Sequence, residues 1–348
     1  MHRICYISRN YRGLTSSGNK AKTDNEMTLA EMGAVNLGLR QTTYRNKLLT
    51  FFLNLAGIVK YACSVKKGDV MVLQYPVKKY FFFICRMAHL RKAKVVALIH
   101  DLGSMRRKKL TETQEIERLM NADYVIASNE VMKQWLTDKG YTHPTGSLGM
   151  HDYKTSSTPS EGKEPEQENH AKVPVVVYAG ALAMRKNAFI LQLPETIHNY
   201  QLHIYGDAAG LPTLQPSATV VVKGFLPADQ FCEKARGDYG LVWDGDAVDA
   251  CTGNFGEYLR YNSPHKVSFY IRAGLPVIVW REAALAALIE EEGVGICIDS
   301  IKQLETLLPT ITPEQLEEMH RNVLRVGQKM GEGGFFRDAL EQALKTIG

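Results

Sequence analysis

Ten near-continuous apolar runs of six to eight residues, separated by amphipathic stretches, constrain this chain more than any other feature. Four of them, at residues 2–8, 69–75, 94–100 and 123–129, alternate with helical patterns near 24–40, 45–66, 78–92, 112–121 and 129–139. Runs that are apolar on both faces are buried on both faces, and in alternation with helices they predict a parallel sheet covered on each side. Residues 151–172 then break the pattern with a polar, proline-bearing stretch that reads as an exposed linker or loop. The alternation restarts with strand-like runs at 173–180, 200–206, 219–225, 239–244, 275–280 and 293–299. Helices fall at 227–236, 264–273 and 282–291, and 313–347 reads as two helices divided by the glycines of MGEGG. The prediction is an α/β chain of two doubly wound, Rossmann-like domains, 1–150 and 173–348, joined by 151–172. In such sheets ligands bind beyond the carboxyl ends of the strands, so a cleft between the domains is the expected site.

Charge divides along the same line. Residues 1–150 hold 24 Lys and Arg against 11 Asp and Glu, a balance of +13, while the remainder carries −8. A basic half joined to an acidic half implies an anionic partner for the first. Nucleic acid is disfavoured, because no zinc finger, RNA-recognition signature or basic heptad region is present. An anionic membrane surface or a lipid-linked phosphate fits better. Residues 45–66 and 78–94 mix apolar and basic side chains, but neither supplies the roughly 20 apolar residues of a membrane span. They read either as core-facing helices or as helices lying at an interface. The six cysteines are scattered without a C-x-x-C pair, and no secretory signal is visible at the start, so a cytoplasmic protein is expected, with peripheral contact at the inner face of the membrane left open. Homo-oligomerisation is also left open.

The segment 253–281, GNFGEYLRYNSPHKVSFYIRAGLPVIVWR, carries the sharpest chemical signal. Ser263 is placed to cap a helix, Pro264 suits its first position, and Lys266 follows within the first turn. The positive end of a helix dipole beside a lysine suits a phosphate or diphosphate. Upstream, YAGALAMRKNAF runs from a strand into Arg185 and Lys186, and the arginine fork suits the same ligand. Tyr205 ends another strand, where it either packs or lies against a nucleobase. Asp244-Gly-Asp246 is either a turn or a metal-holding pair. With Lys266 and Arg185 available to neutralise a diphosphate, no metal is expected to be needed.

In the first half, the loop after the first strand contains Gly13 and Gly18, and Thr23 with Glu26 has capping-box spacing, which predicts a helix start there. Neither G-x-G-x-x-G nor G-x-x-x-x-G-K-[ST] occurs, which argues against an NAD or ATP site. His100 and Asp101 end a buried strand, where either could take a proton from an attacking hydroxyl.

GLVWDGD…CTGNFGEYLRYNSPHKVSFYIRAGLPVIVW, with SSGNKAKTD, LIHD and YAGALAMRKNAF in order before it, resembles bacterial GT-B glycosyltransferases of the galactofuranosyltransferase and glucosyltransferase-3 type. The resemblance covers most of the chain and is most specific over 239–295. It implies a UDP-sugar donor held mainly by the second domain, with no other cofactor, and a glycan or lipid-linked acceptor on the first. Carried over by position, Gly18 approaches the donor phosphates and Arg185 and Lys266 neutralise the diphosphate. Tyr205 lies near the uridine, and Tyr261, Asn262, Ser263, Pro264 and His265 shape the pocket; Asp244, from the Asp-Gly-Asp run, is counted with the donor-binding residues. The acidic pair of many other GT-B families is missing; Glu257 stands alone, which leaves the ribose contact open. The expected activity is transfer of a hexose, with galactofuranose one candidate, to a surface-glycan precursor. A UDP-glucose or UDP-galactose transferase acting on a glycan or glycoprotein, and a non-catalytic partner subunit, are the alternatives.

Overall fold

The computed structural model describes residues 2–11, 17–77, 80–106, 109–156 and 173–348. They divide into two compact units, Met1–Asp152 with Glu332–Gly348, and Tyr153–Gly331. Each unit is built on one six-stranded sheet in which every pairing is parallel.

The first sheet contains β1 (Ile4–Tyr6), β2 (Val35–Asn36), β3 (Val70–Tyr75), β4 (Lys94–Ile99), β5 (Tyr124–Ala127) and β6 (Thr145–Ser147), in the order β2-β1-β3-β4-β5-β6. The central pair is the longest: β3 and β4, six residues each, run in register from Val70 beside Lys94 to Tyr75 beside Ile99. Four of the ten apolar runs are the inner strands here. The two edge strands, β2 and β6, escape the sequence reading because they are two and three residues long and carry no buried side chain. The helix predicted from Thr23 begins earlier, at Ser17, so Gly18 lies in its first turn. The Thr23 hydroxyl is not a cap: it donates to the carbonyls of Asn19 (3.3 Å) and Lys20 (2.9 Å) inside the helix. Gly13 and most of the linker 151–172 lie outside the described residues.

The second sheet contains β7 (Val175–Ala179), β8 (Gln201–Tyr205), β9 (Val220–Val222), β10 (Tyr239–Val242), β11 (Val277–Trp280) and β12 (Gly295–Ile298), in the order β12-β11-β10-β7-β8-β9. Numbered within the unit, this is the 3-2-1-4-5-6 order of a dinucleotide-type fold. The direction of winding reverses between β7 and β10, and a crevice opens at the carboxyl ends of those two strands. All six predicted runs of this half are its strands.

Close packing over this sheet depends on Gly240 in β10. A Cβ there would lie 2.3 Å from Cγ of Tyr270, on the helix His265–Arg272 that covers the strand. Gly240→Ala therefore forces ring or helix to move, and we expect it to cost roughly 1–3 kcal/mol of stability in urea unfolding, as overpacking does.

The end of the chain departs from the predicted domain boundary. The expectation assigned 173–348 to one domain, but the helix Gly334–Ile347 packs on β5, β6 and the helix Ser17–Glu31 of the first unit. Two features direct it there. Gly333 takes left-handed backbone (φ +75°), which a β-carbon would oppose and would also press against Thr28. The buried carboxylate of Asp152 then accepts hydrogen bonds from the amides of Phe335 (3.2 Å) and Phe336 (2.8 Å), anchoring the helix start.

Candidate active site

The crevice of the second unit is lined by residues that follow β7 and β10 directly. Tyr178 near the end of β7 is fully buried, and Asp244 lies two residues beyond β10. Lys266 reaches them from the first turn of the helix His265–Arg272. Its ammonium donates to the Tyr178 hydroxyl, sits 3.7 Å from the centre of the Tyr178 ring, and lies 3.6 Å from Asp244 Oδ1. Lys186, on the short helix Met184–Asn187, stands 3.5 Å from the other oxygen, Asp244 Oδ2. One carboxylate thus holds two ammonium groups at the carboxyl edge of a nucleotide-type sheet.

The supporting shell fixes this arrangement. Tyr178 accepts from Lys266 and from the Asn187 amide, and its own proton faces the Trp243 carbonyl (3.1 Å) and Asp244 Oδ1 (3.3 Å). Asn187 Oδ1 accepts from the Ala183 amide (3.0 Å), and the Tyr270 hydroxyl accepts from the Ala179 amide (2.7 Å). Burial, and then the charge of Asp244, push the Tyr178 phenol well above its ordinary range, so it remains a neutral hydroxyl. Lys266 moves the other way. Burial brings its ammonium down to about 7, partly opposed by Asp244 and reinforced by Lys186. Near neutrality such a lysine is about half protonated, and an incoming anion favours the charged form that burial disfavours.

Arg185 adjoins the pair but does not bind Asp244. Its guanidinium lies 5.2 Å from the centre of the Phe255 ring, and Lys186 lies 5.7 Å from the same ring. Phe255 belongs to the helix Gly253–Tyr258. Tyr261 and Asn262 form the turn after that helix, their amides donating to Tyr258 O at 3.0 and 3.1 Å. The next helix starts one residue later than predicted: Pro264 occupies the cap with extended backbone, His265 is the first helical residue, and Ser263 lies buried just outside. Tyr205 is only 7% exposed, packs edge-on against Phe231 (5.2 Å), and its hydroxyl accepts from the Arg236 amide (3.3 Å). Its ring is therefore a wall of the core at this point. Glu257 pairs with Arg260 (3.1 Å). Asp246 accepts from Thr252, so the Asp244-Gly-Asp246 run is split between a lysine pair and a threonine.

In the first unit, the Asp101 carboxylate follows β4 and accepts from Arg106. His100 Nε2 lies 3.0 Å from Gln74 Oε1, and its ring stacks on that of His151 with centres 5.3 Å apart. Sequence reasoning passed over a third group, Glu26. It is buried, it accepts from the Ser8 (2.6 Å) and Tyr11 (2.5 Å) hydroxyls, and burial raises its carboxyl to about 7. Its capping-box spacing disguised it. Lys186 was named beside Arg185 but ranked below it, because nothing in the spacing shows which of the two faces Asp244, and Tyr178 was missed because it sits within a run that reads simply as strand.

Two all-parallel α/β units, the second with a cluster of lysines and a carboxylate at its winding reversal, are the architecture of the GT-B glycosyltransferases. Known proteins agree on fold and family. The chain belongs to the glucosyltransferase 3-like family: residues 4–150 match the model of its N-terminal domain and residues 176–343 that of its C-terminal domain. It is 30% identical over 290 residues, 82% of each chain, to the protein named beta-1,6-galactofuranosyltransferase WbbI of Escherichia coli K12. It is 24% identical over 304 residues to glucosyltransferase 3 of Streptococcus gordonii, covering 82% of this chain and 81% of that one. Among solved structures, Anabaena HepE in complex with UDP superposes with a TM-score of 0.62 at 13% identity, over 99% of this chain and all of the other.

Proposed function

We propose that this glycosyltransferase moves a hexose from a UDP-sugar to a hydroxyl of a surface-glycan precursor, with galactofuranose the leading donor sugar and a lipid-linked molecule the leading acceptor. The observation that carries this reading is the Lys266–Asp244–Lys186 group at the winding reversal of the second sheet. A departing UDP takes its charge onto the β-phosphate, and preformed cations aimed at that position stabilise the charge as it grows. In the resting protein Asp244 is the counter-ion of both lysines; a diphosphate would take its place, aided by Arg185 and the dipole of the helix that begins at His265. Galactofuranose is favoured because WbbI bears that activity in its name. UDP is favoured because HepE carries UDP and UDP-glucose in related folds. The glucosyltransferase 3 relative supports UDP-glucose as a second reading.

Both oxygens of Asp244 face ammonium groups, and the Asp246 carboxylate is held by Thr252, which supports a reaction independent of a divalent cation. Transfer should therefore persist within about twofold when EDTA is added. Loss of activity with EDTA and its return with magnesium would overturn that part. The whole reading is tested by a screen of UDP-galactofuranose, UDP-galactose and UDP-glucose, measuring UDP release with lipid-extract acceptors. Release from none of them would refute it, and release from UDP-glucose alone would select the second reading.

A further inference from the structure

The helix Lys47–Ser64 in the first unit is apolar on two opposite sides. One side is buried through Thr50, Gly57, Ile58 and Tyr61. The other carries Leu48, Phe52, Leu55 and Val59 at intervals of four, three and four residues, a single stripe along an α-helix. Three of the stripe's side chains are more than half exposed: Leu48 at 72%, Phe52 at 62% and Val59 at 56%. Leu49 and Phe51 widen it, both exposed. A globular helix ordinarily turns a polar face to water, so this one is built for a medium other than water on its outer side.

The neighbouring helix, Phe81–Leu90, extends the same character. It is joined to the first by the Tyr61 hydroxyl, which donates to Ile84 O (2.8 Å), and it exposes Phe82, Phe83 and Leu90 beside Arg86. Neither helix contains an acidic residue. On or beside the two helices Arg45, Lys47, Lys60, Arg86, Arg91 and Lys92 are exposed, and among the described residues the one acidic partner of either helix is Asp123, against His89 (2.9 Å). Along the chain, residues 32–100 contain twelve Lys and Arg against a single acidic residue, Asp69. That one is buried and neutralised by Arg3 at 2.6 Å.

We infer that the outer faces of Lys47–Ser64 and Phe81–Leu90 form a docking surface for an anionic lipid bilayer. Exposed leucine and phenylalanine insert at the headgroup boundary, and lysines and arginines around them meet the lipid phosphates. The charge of the surface selects this occupant over a second copy of the chain, because two such faces brought together would repel. No helix among the described residues is long and apolar enough to cross a membrane, so the contact is peripheral. The inference does not rest on the identity of the donor, since lipid binding requires no sugar nucleotide.

The test is co-sedimentation of the full chain with vesicles of phosphatidylcholine alone and of phosphatidylcholine with about a third phosphatidylglycerol, an anionic fraction that sets the surface potential. Binding is expected to the anionic vesicles and to weaken as salt rises, because the electrostatic part is screened. Phe52→Asp should lower the partition by at least about tenfold, through lost insertion and added repulsion. Leu324→Asp, at an exposed leucine of the second unit, should leave it unchanged. Both altered side chains are exposed, and circular dichroism with a thermal scan confirms that the variants fold. Equal binding to both vesicle types, undiminished binding by Phe52→Asp, or a dimer that Phe52→Asp disperses without any vesicle binding by the parent chain would each overturn the inference.

Discussion

Replacing Lys266 with alanine should weaken UDP binding about 10- to 100-fold and lower turnover by roughly 10²- to 10³-fold, the range for removing one preorganised group from a developing charge. Two consequences distinguish this from general damage. The first is that a buried ammonium is removed together with a neutral hydroxyl's partner, so Tyr178 keeps its bonds to Asn187 and Trp243 and the sheet retains its cover. The second is a pH signature. In the free protein Lys266 loses its proton near pH 7 because burial opposes the charge. A bound diphosphate favours the charge, so the pKa in the complex lies higher. Between those two values binding must take up a proton, and affinity falls by up to about tenfold per pH unit as pH rises. Below about 7 the lysine is charged before UDP arrives and the dependence disappears. Calorimetry from pH 7 to 9, where UDP has already lost its second phosphate proton, should show the fall in the parent chain and a flat line in Lys266→Ala. A parallel slope in both would remove Lys266 from the diphosphate site.

The inner strands and most of the helices that cover them were legible because burial on both faces leaves one signature, the continuous apolar run. That signature fails at edges. The β2 and β6 strands are short and half-exposed, so their residues look like loop. It also fails where a long-range bond decides an element's partner: Asp152 fixes the last helix to the first unit from 183 residues away in sequence. The site shows the same division. Lys266 was legible from local grammar, a proline at the helix entrance followed by a cation. The roles of Asp244 as shared counter-ion and of Tyr178 as hydroxyl partner depend on which strands are neighbours, and that is set by winding order. Arg185 seemed the better ligand for its geometry, yet the backbone of the short helix turns Lys186 toward Asp244 and lays the arginine over Phe255.

Asp101→Asn should reduce turnover about 10²- to 10⁴-fold if Asp101 is the base that accepts the acceptor's hydroxyl proton, the usual contribution of such a group. UDP affinity should not change, since the lysines and Asp244 belong to the other unit. The pairing with Arg106 does not disqualify the residue: a carboxylate offers about four acceptor positions, and the arginine orients it while leaving capacity for a hydroxyl. Asparagine preserves the shape and removes the proton acceptor, which makes retained turnover decisive against the assignment. Glu26 is then the carboxyl to examine, because burial holds it at about 7 beside two hydroxyls at the carboxyl end of β1. The two candidates separate in one measurement. A base at Glu26 is half protonated near neutrality and gains competence as pH rises through about 7, so its rate profile climbs there and is lost in Glu26→Gln. A profile without that climb, together with loss of turnover in Asp101→Asn alone, assigns the proton transfer to Asp101 and leaves Glu26 as a buried tie between the segment that follows β1 and the helix Ser17–Glu31.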